Sequence, residues 1–267
     1  KDPILVLKKK NTKKYLGGVL AISKHLASFC KKIDIYSCLG EKNEEKIFIK
    51  NNLDKNISFK HINKKNSKTI NKTRYLDDDE KNKIIGIYDL DDSPLSIAEE
   101  KKYLNLIKNI KSYDLVIIAD YGHGLLSNKI INYIIKNSKF LSVNTQMNSA
   151  NLGFHTISKY PSCNYVCMHE GELRHDFRSI DRNILDLVNE LKKRVNAKTL
   201  TITQGSKGSI SSDGKNIIKC PAFAKEVYDK VGAGDTLFGI SSLCYSVDMK
   251  ADLTSFIGNI AANTVLS

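Results

Sequence analysis

The sequence predicts an α/β fold: a mainly parallel sheet with helices on both faces. Three observations predict it. Continuous apolar runs such as Asp114-Leu115-Val116-Ile117-Ile118-Ala119-Asp120 have the composition of strands buried on both faces. Stretches of helical periodicity, at 97–110, 127–137 and 181–194, separate such runs. One segment, 57–90, breaks the alternation with short strands joined by Lys-, Asn- and Asp-rich turns.

In chain order, an amphipathic helix from about Gly18 to Cys30 precedes a strand over Ile33–Leu39. Ile57 to Ile62, Thr69 to Leu76 and Ile84 to Tyr88 then read as a hairpin-rich flap, placed to act as a lid. Core strands follow at 114–120, Phe140–Val143, Tyr165–Met168 and Thr199–Thr203, with a further short strand over Ser209–Ser211. The 267 residues fit one large domain, 1–267, carrying the lid at 57–90 within it.

A net charge of +13 invites a nucleic-acid partner. The lysines are spread through every segment, however, and neither zinc-finger spacing nor an aromatic RNA-binding strand accompanies them. A generally solvated basic surface is the expectation, with no nucleic-acid partner; such a surface also helps to gather phosphorylated small molecules. No run of about 18 apolar residues is present, so no membrane span is expected. The first residues lack the order of a signal peptide, which leaves a cytoplasmic setting as the default. The six cysteines show no CxxC pair and read as buried, reduced thiols rather than a zinc site.

Val231-Gly232-Ala233-Gly234-Asp235-Thr236-Leu237-Phe238-Gly239 carries the main chemical signal. Glycines around one alanine let backbone N–H groups converge, and the apolar residues that follow predict a helix starting there. A helix N-terminus with free N–H groups suits an anion. Asp235 beside it has the chemistry to take a proton from an attacking hydroxyl. The same residues also fit an ordinary glycine loop with Asp235 as a helix cap, and alone they leave both readings open. A second loop, Thr203-Gln204-Gly205-Ser206-Lys207-Gly208, ends a strand where a nucleotide could border it, although hairpins use glycine in the same way. No Walker A sequence and no GxGxxG opening a helix occurs.

Taken together, these residues resemble the ribokinase-like (PfkB) carbohydrate kinase family, from about Gly17 to Asn263 and most specifically at the D-x-x-G-A-G-D of Asp229–Asp235. Within it, Glu226–Asp229, Thr69–Arg74, Asp120–Gly124 and Phe256–Ala262 resemble the kinase domains of bifunctional heptose 7-phosphate kinase/ADP-heptose synthases. The resemblance implies a three-layer sandwich with a small β-strand lid, ATP and Mg2+ as cofactors, and a sugar or sugar phosphate as substrate. It implies Asp235 as catalytic base and Gly232, Ala233 and Gly234 as the anion hole. Thr203, Gly205 and Gly208 would line the nucleotide site, with Asn259 at the adenine. Gly17 and Gly18 would let sugar hydroxyls approach the backbone, Lys72 and Arg74 would hold a substrate phosphate, and Asp120 would face the sugar. Glu172 would organise magnesium through water.

The chain departs from the pattern at His169, Lys230, His123, Asn144 and Gln146, where the family has Asn, Thr or Ser, Lys, Asp and Lys. By the same resemblance, a first strand would precede Lys1, a last segment would follow Ser267, and a fused nucleotidyltransferase would lie outside these residues. Two rivals remain: a kinase for another sugar or nucleoside, and a non-catalytic sugar or nucleotide sensor. A sensor has no need of the base that Asp235 supplies.

The loop Asn148–His155 reads as a surface loop with a substrate-side role as its alternative. His25, His61, Arg174 and His175 read as structural or solvated. The run Asp77–Glu80 lacks the spaced ligands of a calcium loop. Exposed strand edges on the lid call for protection, and pairing into a homodimer through the lid is the expectation.

Overall fold

A computed structural model describes residues 6–77, 82–147, 155–223 and 232–266. Helix α1 (Val19–Leu26) leads to β1 (Ile33–Gly40), α2 (Lys46–Asn51) and β2 (Ile57–Lys64). Next come β3 (Asn71–Leu76), β4 (Lys83–Asp89), α3 (Ile97–Leu106), β5 (Val116–Asp120), α4 (Asn128–Asn137) and β6 (Leu141–Thr145). The rest is β7 (Cys163–His169), α5 (Glu170–Asp176), α6 (Ile184–Arg194), β8 (Ala197–Thr203), β9 (Ser209–Ser212), β10 (Ile217–Cys220), α7 (Ala233–Ser246) and α8 (Ala251–Leu266).

The main sheet has the order β10-β9-β8-β7-β6-β5. Strands β5 to β8 are parallel, and β9 and β10 add antiparallel at one edge. The strands alternate their side chains between two cores, as a pleat requires. Val143, Val166, Met168, Leu200 and Ile202 meet α3, α4, α5 and α6 on one face. Tyr165 and Cys167 meet α1, α7 and α8 on the other, against Ile22, Leu26 and Phe238. This is the expected three-layer arrangement. Each fully buried side chain such as Leu187 or Leu191 contributes about 1.5–3 kcal/mol of transfer free energy. Local signals agree with the layers: Ser96 and Glu99 form a capping box on α3, and Ser127 caps α4 through Ile130 N–H.

The lid differs from its expected span. Ile57–Lys64 pairs in parallel with β1, Ile57 opposite Ile33, and buries Ile57 and Ile62 in the body. The antiparallel lid is therefore β3 with β4, Asn71 opposite Asp89, and it begins at Asn71 instead of Ile57. The stretch 97–110 also divides, into α3 and a short 3-10 turn at Ile110–Ser112. Among the described residues, no helix is long and apolar enough to cross a membrane.

Candidate active site

The carboxyl ends of the parallel strands gather the predicted residues at one edge. Asp120 ends β5, Gln146 follows β6, His169 ends β7 and Thr203 ends β8. In open α/β sheets this edge is where ligands bind. A cleft of about 270 Å3 lies at the opposite, amino edge, among Leu141, Cys163, Asn164 and Ala197. No titratable group with a lowered pKa and no set of converging charges lines it, so it is set aside.

Helix α7 enters this edge with its N-terminus. Gly232 caps it at φ 92°, a left-handed conformation that glycine adopts without strain. Its carbonyl accepts from Thr236 N–H at 2.8 Å and from Thr236 Oγ1 at 2.9 Å. Among the described residues no side chain caps the first turn, whose N–H groups at Ala233 and Gly234 suit an anion.

Asp235 lies in that first turn. Gln146 Nε2 donates to its Oδ1 at 2.5 Å and Tyr121 Oη–H donates to the same oxygen at 3.3 Å. Burial pushes the Asp235 carboxyl above its usual range, against the lowering effect of these two donors. Both donors are neutral and both serve Oδ1, so Oδ2 remains the oxygen able to take a proton. Tyr121 also explains Gly18, which stands at φ 56°: a Cβ there would lie 3.0 Å from the Tyr121 ring. Gly17 and Gly18 thus open α1 directly beside the tyrosine that holds Asp235.

Glu172 sits in the first turn of α5. Its Oε2 accepts from His169 N–H at 2.8 Å and its Oε1 from Met147 N–H at 3.1 Å. Burial raises its pKa, opposed by those two N–H donors, and the Asp235 charge adds to the rise. A capping box with His169 accounts for its local placement. Among the described residues, no group of three or more His, Cys, Asp or Glu side chains could hold a metal. Glu172 offers the kind of carboxylate oxygen that a hydrated divalent cation takes through water.

Asp120 has a dense set of partners. Its Oδ2 accepts from Tyr160 Oη–H and pairs with Lys159 Nζ, each at 2.5 Å, and Oδ1 accepts from Gly122 N–H at 2.9 Å. His155 Nε2 lies 3.6 Å from Oδ1 and 3.0 Å from the Asp120 carbonyl. Burial alone would raise this carboxyl, but Lys159, His155 and Tyr160 hold it below its usual value. The carboxylate is held by these partners at the end of β5.

The nucleotide-side residues are brought together. The turn carrying Gly205 and Gly208 joins β8 to β9 as a hairpin, with Gln204 N–H donating to the Gly208 carbonyl at 2.8 Å. Asn259 on α8 donates to Ser209 Oγ at 2.7 Å, just beyond that turn. Phe256, three residues earlier on α8, meets Phe223 edge-on at 5.4 Å between ring centroids. On the lid, Lys72 Nζ lies 2.9 Å from His123 Nε2, and Arg74 sits over the Tyr88 ring. Asp229, Lys230, the loop 148–154 and Asp78–Glu80 lie outside the described residues.

Sequence reasoning missed Tyr121, Phe223 and Phe256, and treated Gln146 only as a departure. No spacing signal marks them. Tyr121 and Gln146 stand 114 and 89 residues from Asp235.

The profile of the pfkB family carbohydrate kinases matches residues 2–262. The bifunctional protein HldE of Aliarcobacter butzleri is 27% identical over 271 residues, covering 99% of this chain and 55% of that one. The chain thus spans about half the length of that relative. Phosphofructokinase-2 from Escherichia coli, solved in complex with fructose-6-phosphate, superposes with a TM-score of 0.74 at 15% identity, over 94% of this chain and 82% of that one. Ribokinase from Thermotoga maritima gives 0.66 at 14% identity, over 92% and 78%. Likeness at these identities speaks for the fold.

Proposed function

The chain belongs to the pfkB family of carbohydrate kinases, phosphotransferases with an alcohol acceptor, and from that premise we propose that it transfers the γ-phosphoryl group of ATP to a sugar phosphate. The observation that carries the site assignment is Asp235 in the open first turn of α7, with one oxygen held by Gln146 and Tyr121. Oδ2 takes the proton of the attacking hydroxyl, and burial makes the carboxylate a stronger base than an ordinary aspartate. The N–H groups of Ala233 and Gly234, with Gly232 shaping the turn, stabilise charge on the moving phosphoryl oxygens. ATP lies along Thr203, Gly205 and Gly208 toward Asn259, with Phe223 and Phe256 as an added platform for the base. Glu172 is the residue that would hold a nucleotide-borne Mg2+ through water, and the ion would supply neutralisation of phosphate charge there.

The acceptor is assigned on the lid side. Lys72 and Arg74 on β3 suit an anionic end group, while Gly17 and Gly18 line the sugar. Likeness to heptose 7-phosphate kinases makes D-glycero-β-D-manno-heptose 7-phosphate, phosphorylated at its anomeric hydroxyl, the leading acceptor, in a step toward ADP-heptose. A nucleotidyltransferase belongs to sequence outside these residues, in line with the name bifunctional that the relative carries. The cytoplasm, where ATP is supplied, is the setting that goes with this reading. β4 exposes every residue, including Ile84, Ile85, Ile87 and Tyr88, and pairing of two lids is proposed to cover them.

ATP consumption measured across phosphorylated sugars, on wild type and Asp235→Asn, tests the reading. Turnover with heptose 7-phosphate that collapses in the variant is the expected result. Unchanged turnover in Asp235→Asn would sink the mechanism, and no stimulation by any sugar would favour a sensor. Light scattering after size exclusion, showing a dimer, is expected for the lid pairing, and a monomer would remove it.

A further inference from the structure

The lid is tied to the body by a three-membered relay. Lys72 Nζ on β3 lies 2.9 Å from His123 Nε2, and His123 Nδ1 lies 2.7 Å from Asp92 Oδ1. A lysine ammonium has only donors, so Nε2 must accept and Nδ1 must carry the ring proton toward Asp92. The geometry therefore selects one neutral tautomer. Burial and the Lys72 charge both depress the His123 pKa, against the opposing pull of Asp92 and Asp120, in keeping with a neutral ring.

The relay joins three parts of the chain. Lys72 belongs to the lid, Asp92 to the segment leaving β4, and His123 to the loop after β5. Strands β3 and β4 pair with each other and with no other described strand, so side-chain ties must hold the lid in place. Leu95 N–H donates to the Gly124 carbonyl at 3.3 Å, which keeps the same two segments together. On its other side the His123 ring runs near-parallel to Tyr121, at 15° and 6.5 Å, and Tyr121 donates to Asp235. The lid cation and the base are thus referenced to one loop.

We infer that His123 is a positioning residue, which with Asp92 holds the Lys72 ammonium over the acceptor side and so sets the grip on a phosphomonoester group of the acceptor. Imidazole suits this task better than a carboxylate. A carboxylate on Lys72 would cancel its charge and repel the phosphate, whereas a neutral ring passes the orientation from Asp92 and keeps that charge a ring's width away. One of the three Lys72 N–H donors goes to His123, which leaves the charge and further donors for an anion, with the Tyr88 ring centroid 5.8 Å away. The inference rests on the phosphorylated-acceptor reading above.

The test combines kinetics with a measurement that needs no substrate. With heptose 7-phosphate as acceptor, His123→Ala is expected to raise the acceptor KM about 10-fold, the scale of one hydrogen bond to a charged group, with kcat within about 3-fold and the ATP KM unmoved. The unphosphorylated heptose should show no such rise. His123→Gln, whose amide can accept from Lys72 and donate to Asp92, should restore part of the loss. In a Lys72→Met background, His123→Ala should add nothing further. Imidazole 15N spectra should show His123 as the Nδ1–H tautomer, shifting in Lys72→Met. Equal KM rises for both acceptors, or a His123 signature unmoved by Lys72→Met, would overturn the inference. Turnover confined to unphosphorylated sugars would instead overturn the acceptor reading, and the 15N result would then still decide the relay.

Discussion

Two carboxylates at the same sheet edge are shifted in opposite directions. Asp235 is buried with two neutral donors on one oxygen, and its pKa is raised by that burial. Asp120 is buried more deeply, yet Lys159, His155 and Tyr160 outweigh burial and lower its pKa. Environments that push paired carboxyls apart separate their roles. The raised group is the more basic carboxylate and the better proton acceptor, whereas the lowered one is a fixed anion that locks the end of β5 to the turn before β7. Location alone would not have told them apart, because both follow a strand or open a helix beside the site.

The largest expected effect comes from removing the exchangeable proton. Asp235→Asn should lower kcat by about 10²–10⁴-fold, the usual worth of a general base. It should also raise Tm by about 2–4 °C, the shift that each recovered kcal/mol gives at this chain length. Its Oδ1 still accepts from Gln146 and Tyr121, and a buried charge is gone. The pH dependence follows the same sign. A carboxyl whose pKa is raised in the fold costs stability above that pKa, and the cost fades as pH falls through it. A rise in activity with no change in Tm would contradict both halves.

Asp120→Asn should act the other way, on stability first. It leaves Lys159 facing a neutral group and weakens the Tyr160 bond. The expected loss is about 2–3 kcal/mol, below the full cost of breaking a buried pair because Lys159 stays partly in water. Urea unfolding at neutral pH measures it. A depressed folded pKa means that the Asp120 contribution is present above the ordinary carboxyl range and is lost as pH falls through the folded value. The gap between wild type and Asp120→Asn should therefore narrow in acid. A variant as stable as wild type that fails to bind the acceptor would instead support the sugar-facing role.

The contrast also explains what could be read from the residues alone. An apolar run such as 114–120 reveals a buried parallel strand because burial on both faces leaves no alternation to hide. Gly232–Asp235 was visible because a left-handed cap followed by a carboxylate needs those residue types in that order. Ile57–Ile62 reads as part of the lid because its mixed pattern suits a half-exposed hairpin. Only its ladder with β1, a contact across more than a helix, places it in the body. α5 has seven residues, too few for a period to show. Asp120 is legible as a residue, but its partners Lys159 and Tyr160 are not, since they reach it from another segment. Tyr121 and Gln146 were hidden for the same reason: donors to Asp235 are set by where strand ends converge.

A charge placed beside the base sharpens the comparison. Gln146→Lys would give Asp235 the kind of cationic partner that Asp120 has in Lys159. The acid limb of the kcat profile should then move to lower pH, because a cation stabilises the ionised carboxylate. kcat at neutral pH should fall, since a less basic carboxylate takes a proton less readily. An acid limb that stays in place would mean that Gln146 does not set the pKa of the base.

The smallest effect is expected from Tyr121→Phe. The hydroxyl gives Asp235 its longer hydrogen bond, 3.3 Å against 2.5 Å from Gln146, so it contributes the weaker share of orientation. Loss of one such bond is worth about 1 kcal/mol, or roughly 5-fold in kcat. The ring remains to pack over Gly18 and beside His123, so Tm and the acceptor KM should hold. Removing a donor also raises the carboxyl further, and the acid limb should move to higher pH, opposite to Gln146→Lys. Shifts of opposite sign from these two neighbours are what a base tuned by neutral donors requires, and Asp120, locked to its lysine, should register neither change.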